Sequence, residues 1–211
     1  MTGVKRQYDG EARRARAEQV RVQILERARE MLLRDGYAGL TIPAVARACG
    51  VSAESVYKRF AGRAALTRAV VEEALHGLGP VAAESRSDAL PADDLPKLVD
   101  GWGRLTAELA PRVAPILLLL ENAASHDAEL AELSRGLSDD RRARMRENAL
   151  RLSRAGHLPA AFSTEHATDV LLTYSSPQLY DMLVVRSGWN LAEYARFVSV
   201  GIAAHLSAVQ Q

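Results

Sequence analysis

Between Ser52 and Arg63 the chain gathers side chains whose chemistry suits a nucleic-acid duplex. Lys58 and Arg59 can donate to guanine N7 and O6, and Glu54 can accept from the amino group of cytosine. Ala53 offers apolar contact to a thymine methyl, and Ser55 a small hydroxyl at the same end. These groups read bases only if they project from the N-terminal part of a helix lying in the major groove. The residues around them supply that helix and its support.

Thr41 is a good N-cap, and Pro43 falls in the first turn of a short helix, where its missing N–H removes no helical bond. Ala46 is small where two helices must cross. Gly50 supplies the positive φ of a tight turn, and Ser52 caps the second helix at its DNA-facing end. Val45, Val51, Val56 and Phe60 are the apolar positions that hold the pair on a scaffold. The order is that of a helix-turn-helix.

The flanking sequence narrows the match. Arg21-x-x-Ile24-Leu25-x-x-Ala28-x-x-x-Leu32 leads through Gly36-Tyr37-x-x-Leu40 into Thr41, and Tyr57-Lys-Arg-Phe60-Ala-Gly-Arg63-x-x-Leu66 leads out into another helix. Residues 20–70 resemble the N-terminal domain of the TetR family of bacterial transcriptional regulators. The resemblance implies that Thr41, Ser55, Tyr57 and Arg63 anchor phosphates. Two departures stand out. Pro43 replaces a polar or basic residue that often contacts DNA after the cap, and Lys58-Arg59 replaces the more usual aromatic or histidine choices. For Tyr57 the expectation is a ring packed in the head with its hydroxyl on phosphate.

Charge is distributed to match. Residues 1–70 hold 14 Lys/Arg against 7 Asp/Glu, a net +7, while residues 71–211 hold 13 against 19, a net −6. A basic head on an acidic body fits a head that neutralises phosphates. With 48% hydrophobic and 25% charged residues the chain reads as an ordinary soluble protein, and the absence of an apolar core near the N-terminus argues against a secretory signal. The longest apolar run, residues 114–120, is too short to span a bilayer, so the expectation is a cytoplasmic protein with no membrane role. The single cysteine, Cys49, permits no intramolecular disulfide. It reads as a small buried hydrophobe sooner than as a redox-sensing thiol.

Apolar periodicity is helical throughout, and no strand-like alternation is found. The expected fold is all-α: an N-terminal three-helix helix-turn-helix head and a larger C-terminal helical body for ligand binding and dimerisation. The domains are a basic arm at 1–18, a DNA-binding domain at 19–70 and the body at 71–211. Head helices are expected at 19–35, 42–48 and 52–58. A fourth runs from Arg63 to the Gly79-Pro80 stop and links head to body. Residues 84–94 read as a loop. The body is expected to hold five helices, at 95–109, 112–124, 128–155, 164–187 and 191–208, with Pro111 ending the first and Asn190-x-x-Glu193 capping the last.

A small head reads few base pairs, so specificity asks for two heads on a palindrome. The candidate pairing surface is Leu179 and Leu183 on one helix with Phe197, Val198, Gly201, Ile202 and His205 on the next, both apolar over more than one face. Residues 175–194 also resemble the helix pair that builds the family's four-helix dimer interface. Trp102, Leu117, Leu120, Met145, Phe162 and Tyr174 are apolar candidates for a ligand pocket, with Glu121, Asn122 and Gln178 to orient a polar group. The Arg141-Arg142-x-Arg144-x-Arg146 run reads as a solvated face with local ion pairs.

No phosphate loop, nucleophile elbow or HExxH is present, and His76, His126, His157, His166 and His205 have no metal-ligand spacing. No catalytic residue, metal or cofactor is expected. The partners expected are double-stranded DNA, a second copy of the chain and a partly apolar small-molecule inducer. The function expected is a homodimeric repressor released from a palindromic operator by that inducer. The alternative is a helix-turn-helix regulator controlled by a protein partner, or one without inducer.

Overall fold

A computed structural model describes residues 3–159 and 161–207, with side chains described for 14–159 and 161–206. It divides into two units, 1–73 and 74–211. No strand occurs among the described residues, and no helix there is long and apolar enough to cross a membrane.

The first unit is built on α1 (Gly3–Gly39), α2 (Ile42–Cys49), α3 (Ala53–Phe60) and the start of α4 (Arg63–His76). Gly36, at φ 72° and ψ 179°, interrupts α1 where a stop was expected. At its other end α1 reaches back to Gly3, so the backbone of residues 3–18 is helical rather than an arm separate from the first helix. The side chains of residues 1–13 lie outside the described residues.

Ile24, Leu25, Ala28 and Leu32 all face inward from α1, at most 2% exposed, as their helical spacing requires. Ile42, Val45 and Ala46 of α2, Val56 and Phe60 of α3, and Leu66 and Val70 of α4 are buried as well. Each buried methylene in this core contributes about 0.8 kcal/mol, so truncating a side chain such as Leu32 would strip the scaffold from under both short helices.

The second unit contains α5 (Ala83–Asp88), α6 (Leu95–Ala123), α7 (Ala128–Arg154), α8 (Thr164–Tyr174), α9 (Pro177–Tyr180) and α10 (Leu191–Ser207). A 3-10 turn at Ala124–His126 precedes α7, and a π-helical turn at Asp181–Arg186 follows α9. Four expectations are corrected. The fourth helix stops at His76, before Gly79-Pro80. Part of the expected 84–94 loop is α5, whose Ala83 and Ser87 are buried and whose last carbonyls at Ser87 and Asp88, with that of Leu90 just beyond, accept from Arg151.

Pro111 does not end a helix. It and Pro115 both sit inside the continuous α6. Lacking N–H groups, they leave the carbonyls of Ala107 and Pro111 without their helical donors. Burial of Val113, Ala114, Ile116 and Leu120 on the same stretch holds it together. Finally, the expected 164–187 helix is broken at Ser175-Ser176. Ser176 caps the short α9 by accepting from Leu179 N–H at 3.3 Å.

The core of this unit joins Leu98, Val99 and Trp102 of α6 to Leu152 of α7, Leu171 of α8 and Tyr194, Val198 and Ile202 of α10. α6 and α10 approach closely at Gly103, where a Cβ would collide with the carbonyl of Ala195 and the hydroxyl of Ser199. Trp102 satisfies its indole N–H on Ser87 Oγ at 3.0 Å. At the other end of α10, Asn190 and Glu193 exchange hydrogen bonds of 2.8 and 2.9 Å, the reciprocal capping box read from the sequence.

Candidate nucleic-acid interface

Local hydrogen bonds set the geometry of the two short helices. Thr41 accepts from Ala44 N–H at 3.3 Å and caps α2. Gly50, at φ 64° and ψ 30°, ends α2, and Val51 N–H returns to the Ala46 carbonyl at 3.0 Å. Ser52 accepts from Ser55 N–H at 3.1 Å and its hydroxyl also reaches Ser55 Oγ at 3.0 Å. Glycine is required at position 50 because the left-handed conformation penalises a Cβ.

α3 buries only Val56 and Phe60. The rest of the helix is open: Glu54, Ser55, Tyr57, Lys58 and Arg59 are exposed, and Ala53 is partly so. Tyr57 is 52% exposed, so the expected packing of its ring in the head is not found. The aromatic is instead about half exposed among polar neighbours. Glu54 and Lys58 pair at 2.8 Å one turn apart.

Arg63 begins α4 with its guanidinium 3.9 Å from the centroid of the Tyr37 ring, and its Nη1 reaches the Tyr37 carbonyl at 3.5 Å. The charge expected for a phosphate is thus held in place by stacking, a role the sequence reading missed. The pattern Gly36-Tyr37 was visible, but nothing in the spacing says that residues 26 apart will stack. Cys49 is partly buried with Sγ 3.7 Å from the Gln23 carbonyl, and burial pushes its thiol up, away from the thiolate that redox sensing needs.

Residues 24–70 match the model of the bacterial regulatory proteins of the tetR family. The match covers the N-terminal domain, which is similar to the DNA-binding domain of that family. Comparison with curated proteins gives no match. Among solved structures, a TetR-family transcriptional regulator from Syntrophomonas wolfei superposes with a TM-score of 0.73 at 14% identity, over 92% of this chain and 97% of that one. One from Rhodococcus sp. gives 0.68 at 13%, over 90% and 100%. A transcriptional regulator from Pseudomonas aeruginosa PAO1 gives 0.68 at 16%, over 90% and 92%. At such identities the likeness extends the TetR fold, and nothing finer, to the whole chain.

Within the body the candidate ligand residues do not converge on one chamber. Trp102 and Met145 belong to the main core. Phe162 packs edge-on against His166 with centroids 4.2 Å apart, and Tyr174 against Phe197 and His205. Asn122 is exposed, and Gln178 donates to Glu121 Oε2 at 2.7 Å. Leu117, Leu120 and Glu121 do share an indentation with Ser134, Leu137, Ser138 and Arg141. It has room for about one water molecule.

The candidate dimer residues divide. Val198 and Ile202, 1% and 3% exposed, are core of their own protomer, and the space over Gly201 is filled by the Tyr174 ring. His205 is tied to the Gly201 carbonyl at 2.9 Å and the Tyr174 hydroxyl at 3.2 Å. Leu179, Leu183 and Phe197 are partly buried against that core. The apolar side chains left outward are Met182, Val185, Leu191 and Val200, 42–61% exposed. The signal for them was the second apolar face of these helices, which the sequence reading noted without separating it from the core face.

Proposed function

We propose that this chain is a homodimeric transcriptional repressor that occupies a two-fold symmetric operator and is released by a small, partly apolar molecule. The observation that carries the DNA-reading part is the open face of α3. An eight-residue helix capped at both ends buries two side chains and presents Glu54, Ser55, Tyr57, Lys58 and Arg59. Lys58 and Arg59 suit guanine edges, while Thr41 at the α2 N-cap, Arg63 at the start of α4 and the exposed Tyr57 suit phosphates.

Dimerisation is supported by the outward Met182, Val185, Leu191 and Val200, which a second copy would cover. Helix α4 contains the boundary between the units, at residues 73 and 74, and so is the segment through which an effector would change head spacing. A second reading, control by a protein partner or by no inducer, draws on one observation: the indentation in the body is nearly closed.

The experiment is a titration of fluorescent operator duplex, followed by a small-molecule screen for loss of the complex. Two chains per duplex and dissociation by an effector are expected. One chain per duplex would remove the dimer, and an unresponsive complex would favour the second reading.

A further inference from the structure

Arg141 differs from the other arginines of its run. Arg142 pairs with Asp169 at 2.9 Å, Arg144 with Asp88 at 2.7 Å and Arg146 with Glu165 at 3.0 Å, as expected of a solvated face. Arg141 is partly buried, and its guanidinium makes one long hydrogen bond, from Nη1 to the Ser175 carbonyl at 3.4 Å. Among the described residues no carboxylate forms an ion pair with it.

Burial opposes its charge, and Glu121 favours it through space. A guanidinium does not give up its proton in a protein, so this desolvation is a standing cost of the folded body. Arg141 also lines the indentation between α6 and α7, beside Leu117, Leu120 and Leu137.

We propose that this cleft is the effector site of the body and that it takes a small carboxylate with an apolar tail. Arg141 holds the carboxylate, and Leu117, Leu120 and Leu137 receive the tail. The proposal rests on the ligand-released reading given above. The guanidinium presents five donors in a fork that matches a carboxylate, and four of them have no partner among the described residues. A neutral head group would leave most of that fork unmet, and a cation would be repelled. Glu121 would oppose an anion, but its Oε2 is drawn to the Gln178 amide at 2.7 Å.

The cleft is nearly closed, so the tail must part α6 from α7. Pro111 and Pro115 lie just before Leu117, and the two helical hydrogen bonds they remove make this the stretch of α6 that bends at least cost.

The test is calorimetric titration of the full chain with octanoate, octanol and octylamine, which share one tail and differ in head-group charge. Octanoate is expected to bind roughly ten- to hundredfold more tightly than octanol, the range of a charge-assisted hydrogen bond, with octylamine weaker still. Arg141→Met should reduce octanoate to the octanol value, and Arg141→Lys should restore part of the preference. Glu121→Gln should strengthen octanoate.

Thermal unfolding guards against a merely structural role. A guanidinium whose charge is desolvated without an ion pair predicts that Arg141→Met is as stable as the parent or more so. Equal binding of octanoate and octanol, a preference that survives Arg141→Met, a marked loss of stability in that variant, or no binding of any of the three overturns the proposal. Octanoate that binds without weakening the operator complex leaves the carboxylate site standing and removes the ligand-released repressor. Release by octylamine alone does the reverse.

Discussion

Glu54 and Lys58 form an ion pair across one turn of α3, Oε1 to Nζ 2.8 Å, on side chains 76% and 74% exposed. For the free protein such a pair contributes only about 0.3–0.5 kcal/mol. In the proposed DNA complex it would matter more, because it would hold Lys58 back from a base edge and bring a carboxylate toward the phosphates. Glu54→Gln should therefore strengthen binding to non-operator duplexes, while at the operator it weakens the acceptor offered to a cytosine amino group. Lys58→Ala should relax preference at particular base positions by about 1–3 kcal/mol. Anisotropy across a set of operator variants checks both. An equal loss on all variants for Lys58→Ala would remove its base-reading role.

Tyr57 and Arg63 should separate by their other contacts. Tyr57 is exposed, so Tyr57→Phe is expected to keep its melting temperature and to weaken all operators uniformly by about 1 kcal/mol. Arg63→Ala loses both the stacking on Tyr37 and a charge. It should melt earlier, by about 0.5–1 kcal/mol, and lower the salt slope by about one. Arg63→Lys should retain the slope and lose the stacking. A Tyr57→Phe protein that unfolds early would mean that the hydroxyl has a stabilising partner within the head.

The arrangement of the head was legible because its determinants are local. Thr41, Gly50 and Ser52 each act within four residues, so residue type and spacing are nearly the whole cause. The body was less legible because its causes are remote. Pro111 and Pro115 read as stops, and only the burial of Val113, Ala114 and Ile116 overrides them. α5 is short and polar, and exists because Arg151, more than sixty residues away, covers its last carbonyls. For the same reason α10 could not reveal which apolar face it turns inward, since Val198 and Val200 are alike in type and opposite in exposure.

Glu108 sets an acid limit on the body. It accepts two hydrogen bonds from Arg86, at 2.8 and 2.5 Å, and a third from Leu78 N–H at 2.7 Å. The Arg86 guanidinium is the main reason its carboxyl is held below the usual range. A depressed folded value stabilises above the ordinary carboxylate pKa of about 4.3 and is lost as pH falls through the folded value. Glu108→Gln should lower stability at neutral pH by about 1–3 kcal/mol and flatten the acid limb of a melting-temperature profile. An unchanged acid limb would show that Glu108 does not govern it.

Tyr194 is the opposite case. Its side chain is fully buried, its hydroxyl has no hydrogen-bond partner among the described residues, and burial pushes its pKa up to about 12. Removing an unsatisfied polar atom without changing shape should be neutral or stabilising by about 1 kcal/mol. Thermal unfolding of Tyr194→Phe measures it directly. A loss of more than about 1 kcal/mol would mean that the hydroxyl has a partner, such as a buried water.

The central claim is that two copies of this chain read a symmetric DNA sequence through α3. The most direct measurement is selection from a random duplex library with the purified protein at near-physiological salt. The expected result is enrichment of a two-fold symmetric motif whose half-sites change when Lys58 or Arg59 is replaced. Salt-sensitive binding with no enriched motif, or a motif indifferent to both substitutions, would contradict it.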